Sequence, residues 1–246
     1  MYQQVGERNF HSFYNLLFGA SDSELKDFGL KQSDLINYSY INQGGSHIHN
    51  NMNDKQNYRL VNDAMKIANF DQNLIKTIWN IVASIIHLGN LKFESDESDH
   101  NNNNNNSNKN SNQQAKLSNV SIKSIKEIAK LLKIDENGLV LALTSRTIAT
   151  GHKDIVKTFL TEKEALYARD SLAKAMYDQL FSFIFSKINE ILDIKNTIKS
   201  NEITSKNSTV IGVLDIYGFE IFETNGYILL LIKTMAGINN LYFYYN

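Results

Sequence analysis

Val210-Ile-Gly-Val-Leu-Asp215-Ile-Tyr-Gly218-Phe-Glu220 is the stretch on which the reading of this 246-residue chain turns. Val210 to Ile216 is an apolar run that closes on an acid, the pattern of a strand buried on both faces of a sheet. A carboxylate so placed stands at the carboxyl edge, where ligands of open α/β sheets bind. There Asp215 could hold a magnesium ion through water, opposite the phosphates of a nucleotide. Gly218 has no side chain, so its N–H can approach a phosphate oxygen closely. On spacing alone the pattern stays open. An Asp after a strand is more often a helix cap or a turn residue, and a Gly is often only a turn.

Outward from that stretch the pattern is helical. Residues 2–18 put Phe10, Phe13, Tyr14 and Leu17 on one helical face. Ser21 with Glu24 reads as a capping box, and Gly29 can end that short helix. Residues 42–57 are polar and loop-like, with Gly44-Gly45 inside them. A helix is expected from about Asp54 to Asn69 with Leu60, Val61, Ala64, Met65 and Ala68 inward. Asp71 caps the next, striped by Leu74, Ile75, Ile78, Val82, Ile85 and Ile86 and ended by Gly89. Leu91 to Phe93 reads as a short strand. Residues 95–114 are of low complexity, include the run Asn101 to Asn106, and have nothing to bury, so a disordered surface insert is expected.

Helical order resumes with Ile122, Ile125, Ile128, Leu131 and Leu132. Arg146–Thr150 and Ile155–Leu160 are β-prone arms around Gly151-His152-Lys153-Asp154, which predicts a hairpin. Thr161 with Glu164 is a second capping box. It opens the longest helix, reaching about Ile194, with Leu166, Leu172, Ala173, Met176, Leu180, Phe183, Ile184 and Ile191 on its face. The fold class is therefore mainly α with a few β strands.

Composition narrows the function classes. Net charge is -1, from 25 basic and 26 acidic residues, which argues against nucleic acid or a membrane surface as partner. The absence of cysteine excludes disulfides and thiolate metal sites and fits a reducing compartment. The first ten residues lack the apolar core of a signal peptide. Tyr227 to Ile232, the longest apolar run, is far short of the ~20 residues of a membrane helix. A soluble cytoplasmic protein with no transmembrane segment is the expectation. His87, Glu7, Arg8 and His11 read as structural. Ser46, His47 and His49 lie near one another without an orienting acid.

Asp215-Ile-Tyr-Gly-Phe-Glu220 resembles switch II of myosin heads. Other segments match that family in order. Gly6-Glu-Arg-Asn-Phe-His-Ser-Phe-Tyr14 resembles the helix after switch I. Ala64-Met65 with Phe70, and Ile86-His-Leu-Gly-Asn-Leu-Lys-Phe93, resemble segments of the upper 50-kDa subdomain. Leu143-Thr-Ser-Arg146 and Asp170-Ser-Leu-Ala-Lys174, followed by Tyr177, Leu180 and Phe181, complete the series. The likeness covers about residues 2–223.

The resemblance implies a motor-domain fragment of the P-loop NTPase superfamily, with ATP and magnesium as the family's ligands and actin filaments as its partner. It assigns Asp215 to the magnesium neighbourhood through water, and the Gly218 amide to the γ-phosphate. It gives Glu220 a salt bridge with a switch I arginine. The hairpin resembles an actin-contacting loop, so His152, Lys153 and Asp154 become actin-contact candidates. Asp154, sixteen positions before Asp170, would supply a fixed negative charge.

The sequence also departs from the family. No G-x-x-x-x-G-K-[S/T] occurs in it, and switch I is not found. Residues 226–246 form a hydrophobic tail that does not align, so the family region is expected at 1–225. The lower 50-kDa subdomain, converter and lever arm are not recognised, and light chains are not expected. The expectation is a fragment inactive by itself, of marginal stability because strand 210–216 lacks neighbours. The alternative is a non-enzymatic actin-binding fragment that uses the hairpin at 146–160.

Overall fold

The computed structural model describes residues 3, 5–45, 52–95, 114–149 and 155–192, all within the unit Met1–Ile198. The strand expected at 210–216, the tail after 225 and almost all of the Asn-rich insert lie outside the described residues.

The fold is built on α5 (Gln72–Gly89). The Asp71 side chain accepts from the Leu74 N–H at its start, and every residue from Val82 to Gly89 is buried. A helical segment buried on all sides has to be surrounded. Around it pack α1 (His11–Gly19), α3 (Ser39–Asn42), α6 (Ile122–Leu132) and α8 (Glu162–Leu192). α4 (Asp54–Ile67) lies mainly along α1, and α2 (Asp22–Asp27) carries the expected capping box of Ser21 and Glu24.

α1 starts nine residues later than the periodicity suggests, because local chemistry diverts the chain first. Gly6 sits at φ +87°, and Asn9 spends its side-chain amide on the Tyr40 carbonyl. Phe10 precedes the helix, stays 41% exposed and stacks on Tyr177 at 3.7 Å between ring centroids. Phe13, Tyr14 and Leu17 are buried as expected.

α4 differs more. Leu60 is 58% exposed, and Val61 and Ala64 are exposed too; only Tyr58 and Met65 of this helix are buried. Its mean hydropathy is low, so the helix lays a narrow seam on α1 and leaves its flank outward.

α6 ends at Lys133, whose φ of 56° is the left-handed stop of many helices. α7 (Glu136–Thr144) opens on Asp135, which accepts from the Gly138 N–H at 2.6 Å. Two antiparallel pairs complete the unit. β1 (Phe93–Ser95) pairs with β2 (Ala115–Leu117), and β3 (Ser145–Ala149) with β4 (Ile155–Phe159) in register Ser145 to Phe159. β1 lies two residues beyond its expected place, because Leu91 is still fastened to α5 by its N–H on the Leu88 carbonyl.

α8 runs 31 residues, yet only Ala165, Ala173 and Leu180 are buried, a seam with one residue per two turns. Phe183, expected inward, is 41% exposed. Its start is the predicted box: the Glu164 carboxylate accepts from the Thr161 N–H at 2.8 Å, and Thr161 Oγ1 accepts from the Glu164 N–H at 3.3 Å. Thr161→Ala is expected to lower stability by about 1 kcal/mol in urea denaturation. An unchanged midpoint would mean that the box contributes nothing.

Candidate functional site

The β3–β4 hairpin is the best-defined functional candidate among the described residues. β3 continues α7 without a break, and β4 runs through Leu160 and Thr161 into α8. Its root is tied by backbone bonds. The Leu160 N–H donates to the Thr144 carbonyl at 2.9 Å, and the Ala115 N–H donates to the Leu160 carbonyl at 2.7 Å. Thr144 and Leu160 are buried, whereas Arg146, Thr147, Val156, Lys157 and Phe159 are exposed. The hairpin is therefore held at its root and turned outward along its arms. Lys157 Nζ lies 5.4 Å from the centroid of the Phe159 ring, a cation over an aromatic face. At the root, bonds from the Thr161 N–H and hydroxyl, with Arg146 nearby, hold the Glu164 carboxyl below its ordinary pKa.

None of the predicted site residues falls within the described residues. His152, Lys153 and Asp154 occupy the connection between β3 and β4, outside them, and Asp215, Gly218 and Glu220 lie in the second unit, also outside them. No group of three or more His, Cys, Asp or Glu capable of holding a metal occurs among the described residues.

Beneath the hairpin, two turns into α8, lies a polar cluster that sequence reading missed. The Tyr40 hydroxyl donates to Asp170 Oδ1 at 2.5 Å. Arg169 pairs with the same oxygen and donates to the Leu91 carbonyl at 2.7 Å and the Gly89 carbonyl at 3.4 Å. The guanidinium thus serves carbonyls at the C-terminal end of α5, where a cation is favoured. Burial works against the Asp170 charge, but the Tyr40 hydroxyl and Arg169 outweigh it and keep its pKa low. Burial, reinforced by Asp170, pushes the Tyr40 phenol up. The cluster joins residues 40, 89–91 and 169–170, a proximity that no spacing in the sequence encodes.

Two of the residues read as structural, Arg8 and His87, are held inside the fold. Arg8 pairs with Asp54 at 2.7 Å, with its guanidinium 3.8 Å from the Tyr14 ring centroid. His87 is buried, and its Nε2–H donates to the Phe28 carbonyl at 2.8 Å. Burial pushes the His87 pKa down, partly offset by the Phe28 carbonyl and Glu127 and supported by Lys123 and Lys130. Folding thus favours the neutral ring. Its contribution is complete above the unfolded value of about 6.5 and is lost as pH falls below it. The urea midpoint is expected to drop between pH 7 and 5, and less steeply in His87→Gln. Equal slopes would show that another group carries the titration.

A cavity of about 280 Å³ opens between α4, α5 and α8, walled by Val61, Ala64, Trp79, Leu180, Phe181 and Ile184. Its lining is almost wholly apolar, and the two hydroxyls on its wall, those of Ser12 and Tyr177, bond to each other at 3.2 Å.

Comparison with known proteins bears on these features. The family described as myosin head (motor domain) matches residues 1–236. Unconventional myosin-Id of Homo sapiens is 43% identical over 225 residues, 92% of this chain and 20% of that protein. The same protein of Danio rerio is 40% identical over 227 residues, and that of Drosophila melanogaster 38% over 225, each with 92% of this chain and 20% of the relative covered. The chain spans about a fifth of the length of these relatives.

Proposed function

Because the chain belongs to the myosin head family, we propose that it forms the upper 50-kDa region through switch II of an actin-activated ATPase motor. Myosin heads use ATP and magnesium and bind actin. The observation that carries the reading is the family match over residues 1–236.

In this reading Asp215 would hold a magnesium ion through water, and the ion would supply positive charge beside the phosphates. The Gly218 N–H donates to the γ-phosphate, and Glu220 pairs with an arginine to close the site around water. His152, Lys153 and Asp154 meet the filament at the hairpin connection, with Asp154 supplying negative charge. Localisation follows the partner: cytoplasm, on actin filaments.

No phosphate-cradling G-x-x-x-x-G-K-[S/T] lies within these 246 residues. The 246-residue polypeptide by itself is therefore expected to release no phosphate from Mg-ATP in a steady-state assay. Measurable turnover that disappears in Asp215→Ala would overturn that part of the proposal while supporting the site assignment.

A second reading, binding to actin without catalysis, is favoured by the outward cations Arg146 and Lys157 on a rooted hairpin. Cosedimentation with filaments at low ionic strength tests it. Binding that weakens several-fold in Asp154→Lys is the expected outcome. Binding indifferent to that change would remove the hairpin from the interface.

A further inference from the structure

We propose that Tyr40, Arg169 and Asp170 form a latch that sets the position of the β3–β4 hairpin, so that all three are positioning residues for filament binding; this rests on the hairpin contacting actin. The hairpin's exposed arms give it little packing of its own, so its direction is inherited from its root, where α7 ends and α8 begins. In the first turns of α8 below that root, Ala165 is a small buried contact, and the latch supplies side-chain polar bonds from the helix to the helical body.

The latch is braced from two sides. Tyr40 is 1% exposed and packs so close to Gly89 that a Cβ there would stand 2.8 Å from the ring. Its carbonyl accepts from Gln3 Nε2 at 3.1 Å and Asn9 Nδ2 at 2.8 Å, which ties the amino-terminal segment to the same residue. Arg169 holds α8 to the last carbonyls of α5.

Leverage follows from element lengths. Thr161 to Arg169 spans roughly 12 Å of helix. The five-residue arms reach roughly 17 Å beyond the root. A small tilt of α8 at the latch is therefore carried to the tip undiminished.

The test uses the full chain. Tyr40→Phe removes only the hydroxyl, and Arg169→Lys keeps the charge without the planar fork that serves Asp170 and two carbonyls together. Ile85→Val, a buried change in α5 that removes no group of the latch, controls for lost stability. Filament cosedimentation and hydrogen exchange of the hairpin amides are read on each. Both latch variants are expected to bind filaments about three- to tenfold more weakly, the range of one lost hydrogen bond. They are also expected to exchange faster at 145–149 and 155–159, while Ile85→Val does neither. Unchanged hairpin exchange, or equal changes in Ile85→Val, would overturn the latch. If the wild-type chain does not bind filaments, the actin reading fails, and exchange alone decides the latch.

Discussion

Gly19→Ala is expected to cost about 3 kcal/mol, the upper end of what overpacking a close contact does. Alanine in a helix is ordinarily worth up to ~1 kcal/mol over glycine, so propensity alone predicts the opposite sign. Sterics decides. Gly19 ends α1 where α4 crosses it, and an added Cβ would stand 2.2 Å from the Tyr58 Cβ and 2.6 Å from its Cγ. A Cβ cannot rotate away as the end of a side chain can, so the two helix backbones have to separate. That separation disturbs Tyr58, whose ring packs 4.8 Å from Trp79 and whose hydroxyl donates to Glu24. Truncation to Tyr58→Ala would bring no relief, because the obstructing atom remains. The melting temperature of Gly19→Ala should fall by roughly 10 °C for a domain of this size. A temperature equal to or above wild type would mean that α1 and α4 do not meet at this distance.

Asp54→Ala should cost as much or more, about 3–5 kcal/mol, the usual penalty for leaving one member of a buried ion pair alone. The Arg8 and Asp54 side chains are 5% and 10% exposed. Arg8 lies over the Tyr14 ring, and its NH1 reaches the Met52 sulfur. Arg8 Nε and Asp54 Oδ1 make no hydrogen bond, so the pair is not fully compensated for its desolvation. Its net worth is consequently modest, while removal of either partner is expensive. The signature is non-additivity: Arg8→Met with Asp54→Leu should be less destabilised than either single change. Denaturant midpoints of the four proteins check this. Additive losses would place both charges in solvent. Arg8→Lys should also fail to substitute, because a point charge can neither fork to the carboxylate nor stack on Tyr14.

Where an element is specified by its own residues, the sequence determines it. Asp71, Ser21 with Glu24, and Thr161 with Glu164 start the helices they were expected to start. Gly29 closes α2 at φ +68°, and the β-prone arms around 151–154 pair as a hairpin. These are contacts within a few residues along the chain, so spacing reports them. Family membership is local in the same sense, since it rests on motifs read in order. The site candidates His152, Lys153, Asp154, Asp215, Gly218 and Glu220 are legible only in that way.

Tertiary structure decided what depends on distant partners. It set which flank of α4 turns outward, leaving Leu60 and Val61 exposed while Tyr58 packs against Gly19 of α1. It delayed α1 to His11 by giving Asn9 the Tyr40 carbonyl 31 positions away. It also joined Tyr40, Gly89, Leu91, Arg169 and Asp170 beneath the hairpin. Periodicity names an apolar face but not its cover, and a hydrogen bond across 130 residues leaves no mark on spacing. The packing of α4 on α1 settled the first, and the packing of α8 on α5 the second.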